Sequence, residues 1–144
     1  MAEQQYLRLV LDRQAFLLPS EASISIEQRE HLRAAGAGAV AAYRETAGAP
    51  WPAYAVDGDL RATTPGTWQR AIFIDAQPVP VGIIAAEIQL LPRSTDMRIE
   101  PFTPPGPAPS PAGHVFAGAW VRDDDIVFVF DPKGLAAYLA RLGH

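Results

Sequence analysis

The sequence predicts an all-β fold closed by a single C-terminal helix. Three observations carry that expectation. Short runs of aliphatic, β-branched and aromatic residues recur along the chain; clusters rich in Pro, Gly, Asp and Ser separate them; and helical spacing of apolar residues is clear only near the end. Many short strands with one terminal helix argue for a barrel or a sandwich. At 144 residues the chain has the length of one domain and is read as a single domain over 1–144.

Tyr6, Leu7, Leu9, Val10 and Leu11 form the first β-favouring run, broken by Asp12-Arg13-Gln14. Ala15-Phe16-Leu17-Leu18 returns and stops at Pro19, so the two runs read as a hairpin. Ser23 to Leu32 carries the charged string Glu27-Gln28-Arg29-Glu30 and is expected to be a short helix or turn ended by Gly36 and Gly38. Ala39–Arg44 and Trp51–Val56 follow as strands across a breaker-rich connection. Ala71–Ile74 and Val81–Ile88 pair as a second hairpin around Pro78 and Pro80.

Residues 101–112 hold six of the fourteen prolines and read as an extended loop. Such a stretch is either a stiff surface connection or a ligand for an aromatic-lined groove. Val115–Val121 and Ile126–Phe130 are strands around an acidic turn. Asp131 then stands where an N-cap belongs, with Pro132 at the first helical position. Leu135, Tyr138, Leu139 and Leu142 give the helix one apolar face.

Composition excludes several functions. Without cysteine, disulfides and thiolate metal sites are ruled out. The formal charge is −4 and the twelve Lys and Arg residues are dispersed, so no basic stripe exists to displace counterions from nucleic-acid phosphates. No apolar run approaches the roughly 20 residues that cross a bilayer, and the first residues lack a basic, signal-like region. A cytoplasmic protein without membrane insertion is expected.

Reactive constellations are scarce. The histidines His31, His114 and His144 form no spaced zinc pair, so no metal is expected. Asp123-Asp124-Asp125 lacks the spacing of a calcium loop and reads as a solvated hairpin tip. Gly36-Ala37-Gly38-Ala39-Val40-Ala41 matches G-x-G-x-x-A, but a charged, helix-like segment precedes it where dinucleotide binding needs a buried strand. No cofactor is expected. Trp51, Trp68 and Trp120 are core or edge packing, or binding platforms.

A family pattern runs through these elements. Val81-Gly82-Ile83-Ile84-Ala85-Ala86-Glu87-Ile88 resembles the "VGxxVDxV" strand of CheW-like domains. Phe116-Ala117-Gly118-Ala119-Trp120 resembles a later glycine-centred strand, and Ile126–Asp131 with Leu135 resembles the closing "LLxLLDxxxL". Arg44 falls on the arginine of a "GxxNLRG" turn, and Asp57 or Asp59 on the aspartate of "PVxDL". Ala42, Glu45 and Ala86 depart from the family's asparagine, glycine and aspartate.

The resemblance implies a pair of small SH3-like five-stranded barrels and a non-catalytic adapter. It would couple a chemoreceptor-type signalling domain to the regulatory domain of a CheA-type histidine kinase, in a chemotaxis, pilus-motility or other alternative pathway. Gly82, Gly118 and Asp131 would be structural positions, and Arg44 a partner contact. Arg44 alternatively ties down its own loop, with Glu45 as a partner. In the interface role, Arg44→Ala would cost affinity and leave stability nearly unchanged. Two other readings compete: a β-barrel module for a different ligand, and a small enzyme assembled from residues such as Ser94, Asp96 and His114.

Overall fold

The computed structural model describes residues 5–35, 38–92, 98–101, 114–122 and 125–142. In chain order the strands are β1 (Tyr6–Leu11), β2 (Gln14–Pro19), β3 (Ser23–Gln28), β4 (Arg33–Ala34), β5 (Val40–Arg44) and β6 (Trp51–Tyr54). Then come β7 (Arg70–Ile74), β8 (Val81–Ala85), β9 (Glu87–Leu90), β10 (Ile99–Pro101), β11 (Phe116–Arg122) and β12 (Asp125–Phe130). The helix α1 spans Pro132–Leu142.

The strands form two six-stranded sheets, ordered β10-β11-β12-β2-β1-β9 and β3-β7-β8-β6-β5-β4. In each, an antiparallel group of three meets a second antiparallel group along a short parallel seam. Phe128 and Val129 lie beside Phe16 and Leu17 in one sheet, and Ala53 and Tyr54 beside Gly82 and Ile83 in the other. Each sheet is a curled half-barrel whose two outermost strands are successive pieces of chain. β3 continues through a 3₁₀ turn at Arg29–His31 toward β4, and β9 precedes β10. Counting each bent pair as one strand leaves five strands per barrel. We call the β1, β2, β9–β12 unit barrel I and the β3–β8 unit barrel II.

The chain begins in barrel I, builds barrel II, and returns to complete barrel I. The halves β1–β6 and β7–β12 repeat one order: hairpin, edge strand, short strand, antiparallel pair. Each half lends its hairpin to the other half's barrel. The sequence keeps a trace of this duplication, since Leu9-Val10-Leu11-Asp12-Arg13-Gln14 and Ile72-Phe73-Ile74-Asp75-Ala76-Gln77 occupy equivalent places.

Three apolar clusters fill this arrangement. The largest lies between the barrels: Leu7, Leu9, Leu11, Phe16 and Leu18 meet Ile72, Ile74, Val81 and Ile83, with Leu135 and Leu139 of α1 added. Ala42, Ala53, Trp68, Ala71, Phe73 and Ile84 fill barrel II, and Leu17, Trp120, Val127 and Val129 fill barrel I. Alternate residues of β8 therefore enter different cores, which is why all five are buried and why the run shows no polar alternation.

Several expectations change. Ser23–Gln28 is a strand paired with β7, not a helix or turn, and only Arg29–His31 forms a helical turn. The run read as one strand over Val81–Ile88 breaks at Ala86. Its first part stays in barrel II as β8, and its second part pairs with β1 in barrel I as β9. Of the proline-rich stretch 101–112, Pro101 ends β10 and the remainder lies outside the described residues. The Asp123-Asp124 part of the acidic turn lies outside them also.

Candidate functional site

Among the described residues no group of three or more His, Asp or Glu side chains gathers, and no polar or charged residue is fully buried. Ser94 and Asp96 lie outside the described residues, whereas His114 is half-buried just before β11. Gly38 has a left-handed φ of 90° and leads into β5. A strand therefore stands where a dinucleotide's pyrophosphate would need a helix N-terminus. No helix of the described residues is long and apolar enough to cross a membrane.

Apolar surface is the more prominent feature, and it is concentrated in two places. The first is the seam between the barrels. Ile26 pairs with Ile72 and so shares the face that Ile72 contributes to the inter-barrel core, yet Ile26 and neighbouring Ile24 are exposed at the β3 edge. On the other side, Leu90 pairs with buried Leu7 but is itself 54% exposed at the β9 edge. Ile88, opposite Leu9, packs partly against the core.

The connections bring these two edges to one seam. β3 starts four residues after Pro19, which pairs with Tyr6, and the Tyr6 carbonyl accepts from the amide of Leu91. β3 ends at a cleft of about 380 Å³ that Gln28 lines together with Glu87 and Ile88. The β3 and β9 edges thus run in opposite directions along one apolar seam. Arg8 and Glu87, 3.5 Å apart, pair on the opposite face of β1 and β9.

The second is the outer face of the β11–β12 hairpin. Val121 and Ile126 face each other across the two strands, and both are exposed. Phe128 stands next along the same face, its ring 5.1 Å from that of Phe116. Phe116 stacks in turn on buried Phe130 at 5.4 Å. The strip therefore grows out of the core and ends in solvent. Exposed large apolar side chains arranged contiguously mark interaction surfaces more often than isolated ones do.

Arg44, singled out from the sequence, lies on β5 opposite Trp51 of β6. Its guanidinium sits 4.4 Å from the centre of the Trp51 ring, and its Nε donates to Glu27 Oε1 at 3.0 Å. Glu27 belongs to β3, at the far margin of the sheet, so this contact closes the curl of barrel II. Ser25 donates to the same carboxylate oxygen at 2.7 Å. The Ser25 hydroxyl does most to hold the Glu27 carboxyl below its ordinary range; burial opposes it, and the hydrogen bond and charge of Arg44 add to the lowering. Glu45 is not the partner of Arg44; it pairs with Arg33, which also covers the Tyr43 ring.

The two strand glycines and Asp131 occupy tight places. A side chain at Gly82 would meet the Phe73 ring at 2.6 Å, and one at Gly118 would meet the Glu100 carbonyl at 2.5 Å. Asp131 Oδ1 accepts from the amides of Lys133 and Gly134, meeting two donors that the helix itself leaves unpaired. Sequence reasoning missed Glu27, Ser25 and the seam residues Ile24 and Ile26 together, because β3 read as helical. The signal that finds them is the strict alternation of Ser23-Ile24-Ser25-Ile26-Glu27.

Two curled five-stranded barrels, exchanged hairpins and one C-terminal helix define the CheW-like all-β fold. Among solved structures, the chain is similar to the scaffolding protein TtCheW from Thermoanaerobacter tengcongensis, with a TM-score of 0.60 over 90% of each chain. Sequence identity in that comparison is 14%, so the likeness is one of fold. No family model and no curated protein sequence matches the chain.

Proposed function

We propose that this chain is a non-catalytic cytoplasmic adapter acting as one domain in chemotaxis-like signal transduction. In this reading it couples a chemoreceptor-type signalling domain to the regulatory domain of a CheA-type histidine kinase, in chemotaxis itself or a pilus-motility variant. The observation that carries it is the apolar seam on a CheW-like fold. Ile24 and Ile26 on one barrel, with Leu90 on the other, offer a trough suited to the apolar stripe of a helix. The Val121–Ile126–Phe128 face supplies a separate surface on barrel I, as bridging two partners requires. Arg44 is a partner contact in this reading, through the third of its side chain that Glu27 and Trp51 leave open to solvent.

The test is a calorimetric titration against the organism's own receptor signalling tips and kinase regulatory domain. Ile26→Asp should abolish receptor binding and leave kinase binding intact; Ile126→Asp should do the reverse. Failure of the wild-type protein to bind either partner would refute the coupling role.

A further inference from the structure

A hollow of about 680 Å³ opens at one end of barrel II, within the size range of ligand pockets. Its floor is apolar: Ala42 and Trp68 are buried members of the barrel core, and Leu32 packs against them. Its rim is charged, with exposed Arg29 and Glu30 side by side.

Arg29 is unusually fixed for an exposed arginine. Its amide donates to the Gln69 carbonyl at 2.9 Å, and its own carbonyl accepts from Leu32 at 3.1 Å. Its guanidinium lies 4.9 Å from the centre of the Trp68 ring. Arg8, Arg33 and Arg44 each have a carboxylate within ion-pair distance, but among the described residues none is within that distance of Arg29. Contact with the ring restrains the Arg29 side chain, so less rotamer entropy is lost on binding.

We propose that this barrel mouth binds an acidic peptide segment of a protein partner. One carboxylate pairs with Arg29, and an adjacent aliphatic side chain packs on Leu32 and Ala41, the half-buried residues that lie against Trp68 and Ala42. Glu30 on the same rim limits the segment to a single acidic group by like-charge repulsion. The site adjoins the cleft at the end of the seam, with which it shares Glu30 and Gln69, lies apart from the β11–β12 face, and does not depend on the coupling role.

The test uses the full-length protein, ¹⁵N-labelled, titrated with the blocked tetrapeptide acetyl-Gly-Asp-Leu-Gly-amide. The Trp68 indole N–H and the Ala42 amide should shift saturably. The matching peptide with Asn in place of Asp should bind about tenfold more weakly, the loss expected when a charge-assisted bond becomes neutral. Arg29→Gln should produce a similar loss, Arg29→Lys a smaller one, and Glu30→Gln a gain. Higher salt should weaken the Asp peptide more than the Asn peptide. Equal affinity for the two peptides, or no shift at Trp68, overturns the proposal without reference to any variant. Arg29→Gln that lowers stability but binds the Asp peptide as the wild type does would confine Arg29 to covering Trp68.

Discussion

Arg44→Ala should destabilise barrel II by about 0.5–2 kcal/mol, and the geometry sets that size. The Arg44–Glu27 pair is 34% and 24% exposed at its two side chains, so screening holds its worth to about 0–1 kcal/mol. Stacking of the guanidinium on Trp51 adds about 0.5–1 kcal/mol for a partly wet cation–π contact. Glu27 keeps the Ser25 hydroxyl after the substitution and is not orphaned, which holds the cost well below that of breaking a buried pair. For a chain of this size that corresponds to a melting shift of about 1–8 °C.

Urea unfolding followed by tryptophan fluorescence gives the number, and a double-mutant cycle with Glu27→Gln isolates the pair. A coupling energy near 0.5 kcal/mol is expected, with the rest of the loss in the Arg44 single variant. A total change below about 0.5 kcal/mol would show that the closure of barrel II does not depend on Arg44. The sequence-based expectation of unchanged stability is thereby replaced, because the contact joins opposite margins of a curled sheet.

Three further outcomes follow from the same geometry. Leu139→Ala should cost about 2–5 kcal/mol in chemical denaturation, because Leu139 is wholly buried in the inter-barrel core; a change under 0.5 kcal/mol would place α1 off that core. Gly134→Ala should destabilise by roughly 1 kcal/mol or more, although glycine-to-alanine normally stabilises a helix, because the added Cβ would collide with the His114 carbonyl; a raised melting temperature would contradict this. The lowered Glu27 carboxyl favours the folded state above the ordinary glutamate range, and that contribution is lost as pH falls through the still lower folded value, so Glu27→Gln should flatten the acid limb of the stability profile.

The strands of the inter-barrel core were legible because each is apolar and bounded by breakers, as in Tyr6–Leu11 and Ile126–Phe130. The helix start was legible because Asp131 and Pro132 act locally. What was hidden depends on contacts distant in sequence. β3 presents Ser25 and Glu27 toward the barrel interior, where Arg44 arrives from seventeen residues away, so its charged end imitates a helix face. The passage from β8 to β9 was hidden because residues 81–85 are buried on both sides, and neither periodicity nor a breaker marks the point where the chain changes barrels. Only the exposed Ala86, whose amide bonds to the Val10 carbonyl of barrel I, marks it.

The apolar seam follows from that same change of barrels. β3 and β9 are the edges beside the crossings, and each carries the inter-barrel face one strand beyond the region its opposite sheet covers. Ile26 and Leu90 are exposed for this reason, although their cross-strand partners Ile72 and Leu7 are buried. The duplication places one such edge on each barrel, so the seam has an apolar strand on both sides. A helix entering it would bury side chains on two faces at once, and an Asp substitution on either edge should weaken binding. Position 26 and position 90 are therefore expected to act together on one ligand rather than as separate sites.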